Sequence, residues 1–258
     1  MACFVPFNNR NLDVSFFVFR PTLVIVDEFF DALKRFSACT ESLGCVQSSI
    51  FTSIHGNMII WYGAWMKKSS ENKESLNATL LSMLKSTSSM AVIVEHSFFN
   101  PYAGESRDGS SAAKFFTGDI ISVNAAESIA ADSYPDESRS DDLSFACLAI
   151  FKSQFSKTEG VKSGACLRSQ SRPRVACLYI WKSLHCCYSC ILSTDYRRSM
   201  IPYCDQLSIE VKYDLFRVVF VSTEIGSGKY NDQLYYAAHD RVLGHGDEES
   251  NERGAMQI

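Results

Sequence analysis

The residues best equipped for chemistry lie in the run His185-Cys186-Cys187-Tyr188-Ser189-Cys190. Thiolates at Cys-x-x-Cys spacing can grip one zinc ion, but a closed structural site takes four ligands. No second tight pair follows, and Cys177 and Cys204 are the nearest other candidates. Helical spacing puts Cys187 on a buried face with Cys190 beside it, so the expectation is structural thiols and no metal. Gly226-Ser227-Gly228-Lys229 invites a phosphate-loop reading, yet Thr223 stands where that motif needs glycine and Tyr230 where it needs Ser or Thr. A polar tail follows rather than a helix whose N–H groups could hold a phosphate. Glu95-His96 ends a strand and could face a cleft. No nucleophile, base and orienting group can be assembled around it, and no glycosidase-like pair of carboxylates can be picked out. The sequence therefore assigns no catalytic residue, no metal ligand and no cofactor.

Two segments could instead bind an anion. Gly104-Glu-Ser-Arg-Asp-Gly-Ser-Ser111 is a polar, glycine-bearing loop whose successive N–H groups could surround a negative charge, with Arg107 and Ser110 contributing side chains. Lys157, Lys162, Arg168, Arg172 and Arg174 cluster further on. They read as an anion or RNA surface, or as a solvated hairpin edge blunted by charge. Arg107, Ser110, Arg168, Arg172 and Arg174 are the candidate ligand-binding residues, in a groove between the two halves of the chain. Trp61, Gly63 and Trp65 alternate onto one strand face. Such aromatics could stack bases, but the run lacks the basic residue and spaced aromatics of RNA-recognition strands, which favours packing.

The elements that must position these residues follow from periodicity. Leu12–Phe19 reads as a strand, and a helix follows with Leu23, Val26, Phe29, Phe30, Leu33 and Phe36 on one face. Cys45–Ile54 and Met58–Met66 flank the turn His55-Gly56-Asn57. A second helix starts near Ser69 and buries Leu76, Leu80, Met83 and Leu84, and Met90–His96 is a fourth strand. The order β-α-β-β-α-β over residues 1–103 is the ferredoxin-like pattern. Residues 104–142 read as a polar loop and an acidic linker, with a strand possible within Ala112–Val123. In residues 143–225 the strands are Leu143–Phe155, Val161–Arg168, Val175–Lys182 and Ser208–Ser222, with a helix over Ser183–Met200. Trp181-Lys182 stands before that helix as Trp65-Met66-Lys67 stands before its counterpart. This suggests a degenerate duplication whose second copy lacks the first helix. The tail 226–258 reads as disordered.

The expected fold is thus α+β: a ferredoxin-like unit followed by a degenerate α+β repeat packed against it. Strands such as Phe16-Phe17-Val18-Phe19 are apolar on both faces and need cover on both. The two halves, or two copies of the chain, are expected to supply it.

The chain has 258 residues, 46% hydrophobic and 21% charged, with a net charge of −4. That composition excludes a disordered chain, a collagen and a uniformly basic nucleic-acid binder. Charge is nonetheless uneven: residues 143–225 hold eleven basic and six acidic side chains, residues 104–142 three and nine. No signal-like or membrane-spanning stretch is read, and ten cysteines then point to reduced thiols in the cytoplasm or nucleus.

The opening MACFVPFNNRNLDVSFFVFRPT, the hairpin SIHGNMIIWYGAWMK and the loop AGESRDGSSAAKF resemble an uncharacterised family of plant proteins that carry a domain of unknown function. The resemblance runs to about residue 222 and implies a plant origin and an intracellular protein, with no activity, ligand or catalytic residue attached. The expectation from sequence is a non-enzymatic interaction or regulatory module whose partner is another protein or a second copy of itself. The alternatives are RNA or anion binding through the basic second half, and an enzyme with an unrecognised active site.

Overall fold

In the computed structural model, residues 2–8, 11–22, 24, 26–128, 137–193 and 209–222 are described. They belong to one compact unit within residues 1–223. The elements are β1 (Cys3–Pro6), β2 (Leu12–Pro21), α1 (Asp27–Glu41), β3 (Cys45–Ser53), β4 (Ile59–Met66), α2 (Ser70–Leu84), β5 (Ala91–Ser106), β6 (Ala112–Phe115), β7 (Ile120–Ser128), α3 (Glu137–Lys157), β8 (Val161–Ser169), β9 (Arg174–Trp181), α4 (Leu184–Ile191) and β10 (Ile209–Val221). Eight strands close into an antiparallel barrel in the order β10-β3-β4-β2-β5-β8-β9-β7, with β7 returning to β10. No helix among the described residues is long and apolar enough to cross a membrane.

Closure explains the strands that are apolar on both faces. In β2, Val14 and Phe16 point into the barrel, where they meet Phe51, Tyr62, Phe99, Leu178 and Phe216. Phe17 and Phe19 point outward under Phe29, Leu33 and Phe36 of α1 and Leu76, Leu80 and Leu84 of α2. Cover on the second face comes from within the chain, as β5 pairs with β8 and β10 with β3. Those two pairings leave the barrel no free edge. A ribbon of β1 and β6 fills the interior with Cys3, Val5, Ala113 and Phe115. The Gln47 amide accepts from Phe4 N and donates to Phe4 O, and Tyr62 Oη donates to the same carbonyl, which fixes the ribbon.

The second half departs from the sequence expectation. Leu143–Phe155 is not a strand: it lies in α3, and Leu143, Cys147, Phe151 and Phe155 face the sheet. Their spacing of four is helical, but Phe145, Ala146, Leu148, Ala149 and Ile150 between them mask the period. The second half therefore does have a helix between its first two strands. Asn124–Ser128, read as linker, continues β7, and 137–142 open α3. β5 runs on to Ser106 instead of stopping near His96. It passes Pro101 at a break in register with β8, the kind of position where a strand tolerates proline. The helix expected over Ser183–Met200 is α4, capped by the Ser183 side chain accepting from Cys186 N. Its continuation beyond Ser193, Cys204 and the tail with its Gly-Ser-Gly-Lys run lie outside the described residues.

Candidate active site

Between the outer face of the second-half sheet and α3 with α4 lies a cavity of about 10 Å³, room for a single water molecule. Strand alternation places Ser122 and Asn124 of β7 and Tyr179 and Trp181 of β9 on its floor. Gln154 and Thr158, at the end of α3 and just past it, form one wall, and Cys190 and Ile191 of α4 form another.

Some of these groups are held firmly. Trp181 Nε1 donates to Ser122 Oγ at 3.0 Å, and Tyr179 Oη donates to Gln154 Oε1 at 3.1 Å. Thr158 Oγ1 and Cys190 Sγ lie 3.7 Å apart. Two polar atoms have no partner: Asn124 Oδ1, an acceptor on a residue 9% exposed, and Gln154 Nε2, a donor. Each such buried group costs about 1–3 kcal/mol. An unpartnered acceptor and donor on one small cavity, flanked by two aromatic rings, is an arrangement made to hold something polar.

The first half shows what the same place looks like when it is only packed. Register aligns Ser15↔Gly63 of β2 and β4 with Ser122↔Tyr179 of β7 and β9, hence Phe17 with Asn124 and Trp61 with Cys177. Trp65 Nε1 donates to Ser15 Oγ at 2.8 Å, the counterpart of Trp181 on Ser122. Here, however, Phe17, Phe36 and Trp61 fill the space edge to face. Any Cβ at residue 63 would stand 2.5 Å from the Trp61 ring, so only glycine lets that ring lie across the strand. Trp61 closes the remaining polarity by donating to Ser37 Oγ. In the second half Asn124 stands where Phe17 does and lines the cavity, and Tyr179 takes the place of Gly63 on its floor.

The five residues expected to bind a ligand are dispersed. Arg107 caps the C-terminus of α3: its guanidinium donates to Phe155 O, Thr158 O and Val161 O and lies over the Phe155 ring. Ser110 Oγ donates to Ala112 O, while its N–H donates to Asp108. With Ser106 also donating to it, the Asp108 carboxyl is held down at about 2. That loop meets the first residues of β8, since Arg107 N donates to Lys162 O. Arg168 stands at the far end of β8, roughly 20 Å away at 3.3–3.4 Å per residue. Arg168 Nε donates to Ser144 Oγ of α3, and its guanidinium lies over Tyr102. Arg172 is exposed in the β8–β9 turn. Arg174 points the other way, into the barrel mouth, paired with Glu95 of β5 and with Glu127 of β7 at 3.0 Å. Burial lowers its pKa from the usual arginine value. No groove gathers these residues. His96 stacks on Phe17 in the first half, remote from the cavity.

Cys187 is buried and Cys190 partly exposed, as the helical reading of Cys-x-x-Cys required. No cluster of three potential metal ligands occurs among the described residues. Cys166 and Cys177, paired across β8 and β9, lie with Sγ atoms 3.6 Å apart, and the hydrogen bond with Cys166, followed by burial, raises the Cys177 pKa. Sequence reasoning missed Asn124 and Gln154 altogether. One signal was available: an amide at 124, among the small apolar residues of a strand otherwise fit for burial.

The profile of a domain of unknown function, DUF7392, matches residues 97–216, the half that carries the cavity. No curated protein matches the chain. Solved structures do. An anthrone oxidase-like protein is similar at TM-score 0.63 and 12% identity, over 85% of this chain and 96% of that one. A candidate monooxygenase from Fusobacterium nucleatum subsp. nucleatum is similar at TM-score 0.57 and 8% identity, over 83% and 95%. A candidate chlorite dismutase is similar at TM-score 0.50 and 12% identity, over 81% and 95%. The mixed α/β fold is shared with those proteins. This corrects the expectation of a non-enzymatic module: the architecture is one shared with proteins named for oxidative enzymes.

Proposed function

We propose that the protein is an enzyme that oxidises a small aromatic molecule bearing hydroxyl or keto oxygen, bound between the second-half sheet and α3 with α4. The observation that carries this reading is the unpartnered pair Asn124 Oδ1 and Gln154 Nε2 beside Tyr179 and Trp181. The likeness to an anthrone oxidase-like protein and a monooxygenase candidate supplies the reaction class by analogy of fold.

Each group has a role in this reading. Asn124 Oδ1 accepts from a substrate hydroxyl. Gln154 Nε2 donates to a carbonyl oxygen and stabilises negative charge that develops there on enolisation. Tyr179 turns the Gln154 amide so that its NH₂ faces the cavity. The Tyr179 and Trp181 rings hold the flat substrate, and Ser122 fixes Trp181. A substrate of this size needs more room than one water, so α4 must swing outward to admit it. That helix is two turns long, with Cys187 its buried residue.

In the same reading the barrel is two ferredoxin-like units fused edge to edge. The strand orders β5-β2-β4-β3 and β10-β7-β9-β8 repeat one another, and the Trp65–Ser15 and Trp181–Ser122 pairs support the duplication. The first unit is the packed copy and the second the working one.

Anthrone is the first probe. Its oxidation by dioxygen consumes one O₂, removes both hydrogens from the CH₂ carbon, places a carbonyl oxygen there, and yields anthraquinone and water. Oxygen uptake and anthraquinone absorbance should rise together with wild-type protein and fall by at least about tenfold in Asn124→Leu and Gln154→Leu. If wild-type protein neither turns over nor binds anthrone or a panel of naphthols, read by quenching of tryptophan emission, the proposal fails.

A further inference from the structure

We infer that Cys190 is a peroxide-reactive thiol and that the cavity it lines receives hydrogen peroxide. Three independent features converge on it. Cys190 and Cys186 of α4 are both partly exposed, whereas Cys187 on the same helix and Cys147, Cys166 and Cys177 are buried, and of the two partly exposed thiols it is Cys190 that lines the cavity. The cavity admits a water-sized molecule, and hydrogen peroxide is only slightly larger. Its polar complement is one unpartnered acceptor on a residue nine-tenths buried, Asn124 Oδ1, and one unpartnered donor, Gln154 Nε2. Peroxide carries hydrogens for the first and lone pairs for the second.

The chemistry is a two-electron displacement. The Cys190 thiolate attacks the near oxygen, the S–O bond forms and the O–O bond breaks. The far oxygen leaves as hydroxide and takes a proton from solvent. A thiol and hydrogen peroxide give a sulfenic acid and water: sulfur is oxidised and peroxide reduced. Gln154 N–H donates to the leaving oxygen, where negative charge grows, and Tyr179 holds that amide in place. Asn124 Oδ1 orients peroxide by accepting one O–H. Thr158 Oγ1, 3.7 Å from Cys190 Sγ, can donate to the thiolate. The inference uses the same cavity as the proposed oxidation but does not depend on an aromatic substrate, so failure of anthrone turnover leaves it standing.

The test treats reduced full-length protein with graded hydrogen peroxide and traps sulfenic acid with dimedone, with peptide mass spectrometry to locate the label. Cys39, exposed on α1, is the internal reference. The expected result is labelling at Cys190 about tenfold faster than at Cys39, despite its lower exposure. Asn124→Leu and Gln154→Leu should each slow it by about tenfold or more, with Cys39 unchanged. Alkylation of Cys190 by iodoacetamide, which reads access alone, should stay within about twofold in both variants. Labelling no faster than at Cys39 would overturn the inference. So would variants that alter peroxide and iodoacetamide rates equally, because the amides would then act only through access.

Discussion

Asn124→Leu separates a binding cavity from ordinary packing, because the two make opposite predictions for stability. In the wild-type protein Asn124 Oδ1 is buried without a partner on a cavity that admits one water. Such an orphan costs about 1–3 kcal/mol, less whatever a trapped water returns. Leucine has the same branched outline but is larger, so it grows into the cavity, removes the orphan and adds apolar surface beside Tyr179 and Trp181, a step toward the Phe17 of the first half. The expected outcome is a gain of about 1 kcal/mol in unfolding free energy. For a domain of this size that is a rise of about 2–4 °C in Tm. The assay is urea unfolding at 25 °C followed by tryptophan emission and far-UV circular dichroism, with an unchanged m-value required so that the difference reports stability. Activity or peroxide reactivity should fall in the same variant. A loss of more than about 1 kcal/mol would mean that the amide is satisfied in the folded protein and serves the structure.

The duplicated Trp–Ser pair gives a matched control. Trp65→Phe and Trp181→Phe each remove one buried hydrogen bond and should destabilise by similar amounts, about 1–3 kcal/mol with the orphaned hydroxyl counted, yet only Trp181→Phe should change ligand binding. Arg174→Ala leaves Glu95 and Glu127 facing each other at the barrel mouth and should cost about 2 kcal/mol, discounted from a fully buried pair because both carboxylates are about one-third exposed. Adding Glu95→Gln should recover part of that loss in the same unfolding assay. Alkaline titration tests the buried thiols. Burial pushes the Cys45 thiol from 9.0 up to about 12, so the unfolded chain loses this proton first. Stability from Cys45 is whole below pH 9 and declines between pH 9 and 12 at about 1.4 kcal/mol per unit. Cys45→Ala should remove that much from the slope of unfolding free energy against pH, measured over pH 9–11.

The first half was legible because its strands and helices carry separable periods: Phe29, Leu33 and Phe36 can only be one helix face, and the turn at His55-Gly56-Asn57 marks its hairpin. The second half was harder for a physical reason. In Leu143–Phe155 a helix that covers a sheet has apolar residues on its flanks as well as its buried stripe, so both templates fit. Barrel closure was not legible either. Strands apolar on both faces demand cover, but edge pairing of β5 with β8 and β10 with β3 supplies it as well as stacking or dimerisation would. The cavity was invisible because its defining feature is an absence of partners, which depends on α3 lying where the sequence suggested a strand. The basic residues misled in the opposite direction. Neighbours in sequence, Arg168 and Arg174, sit on strands that alternate faces, and a turn carries one outward onto α3 and the other into the barrel.

The two halves are built on one frame and fill it differently. Both present a serine on the first strand, a tryptophan on the third and a helix above, so the same frame could have been filled the same way twice. The first copy fills it with Phe17, Phe36 and Trp61, a choice that requires glycine at 63 and leaves nothing unsatisfied around Trp61. The second copy has Asn124 at the position of Phe17 and Tyr179 at that of Gly63, and leaves two buried polar atoms on the cavity, Asn124 Oδ1 and Gln154 Nε2, without partners. A fold that demonstrably can pack this space, and in one copy does, retains a costly cavity in the other. The first half has an orphan of its own, Asn77 Oδ1 on α2, but the space around Trp61 is packed closed. A local violation of packing where the matching place is filled is what a working site looks like in physical terms, and its removal should make the protein more stable and less active at once.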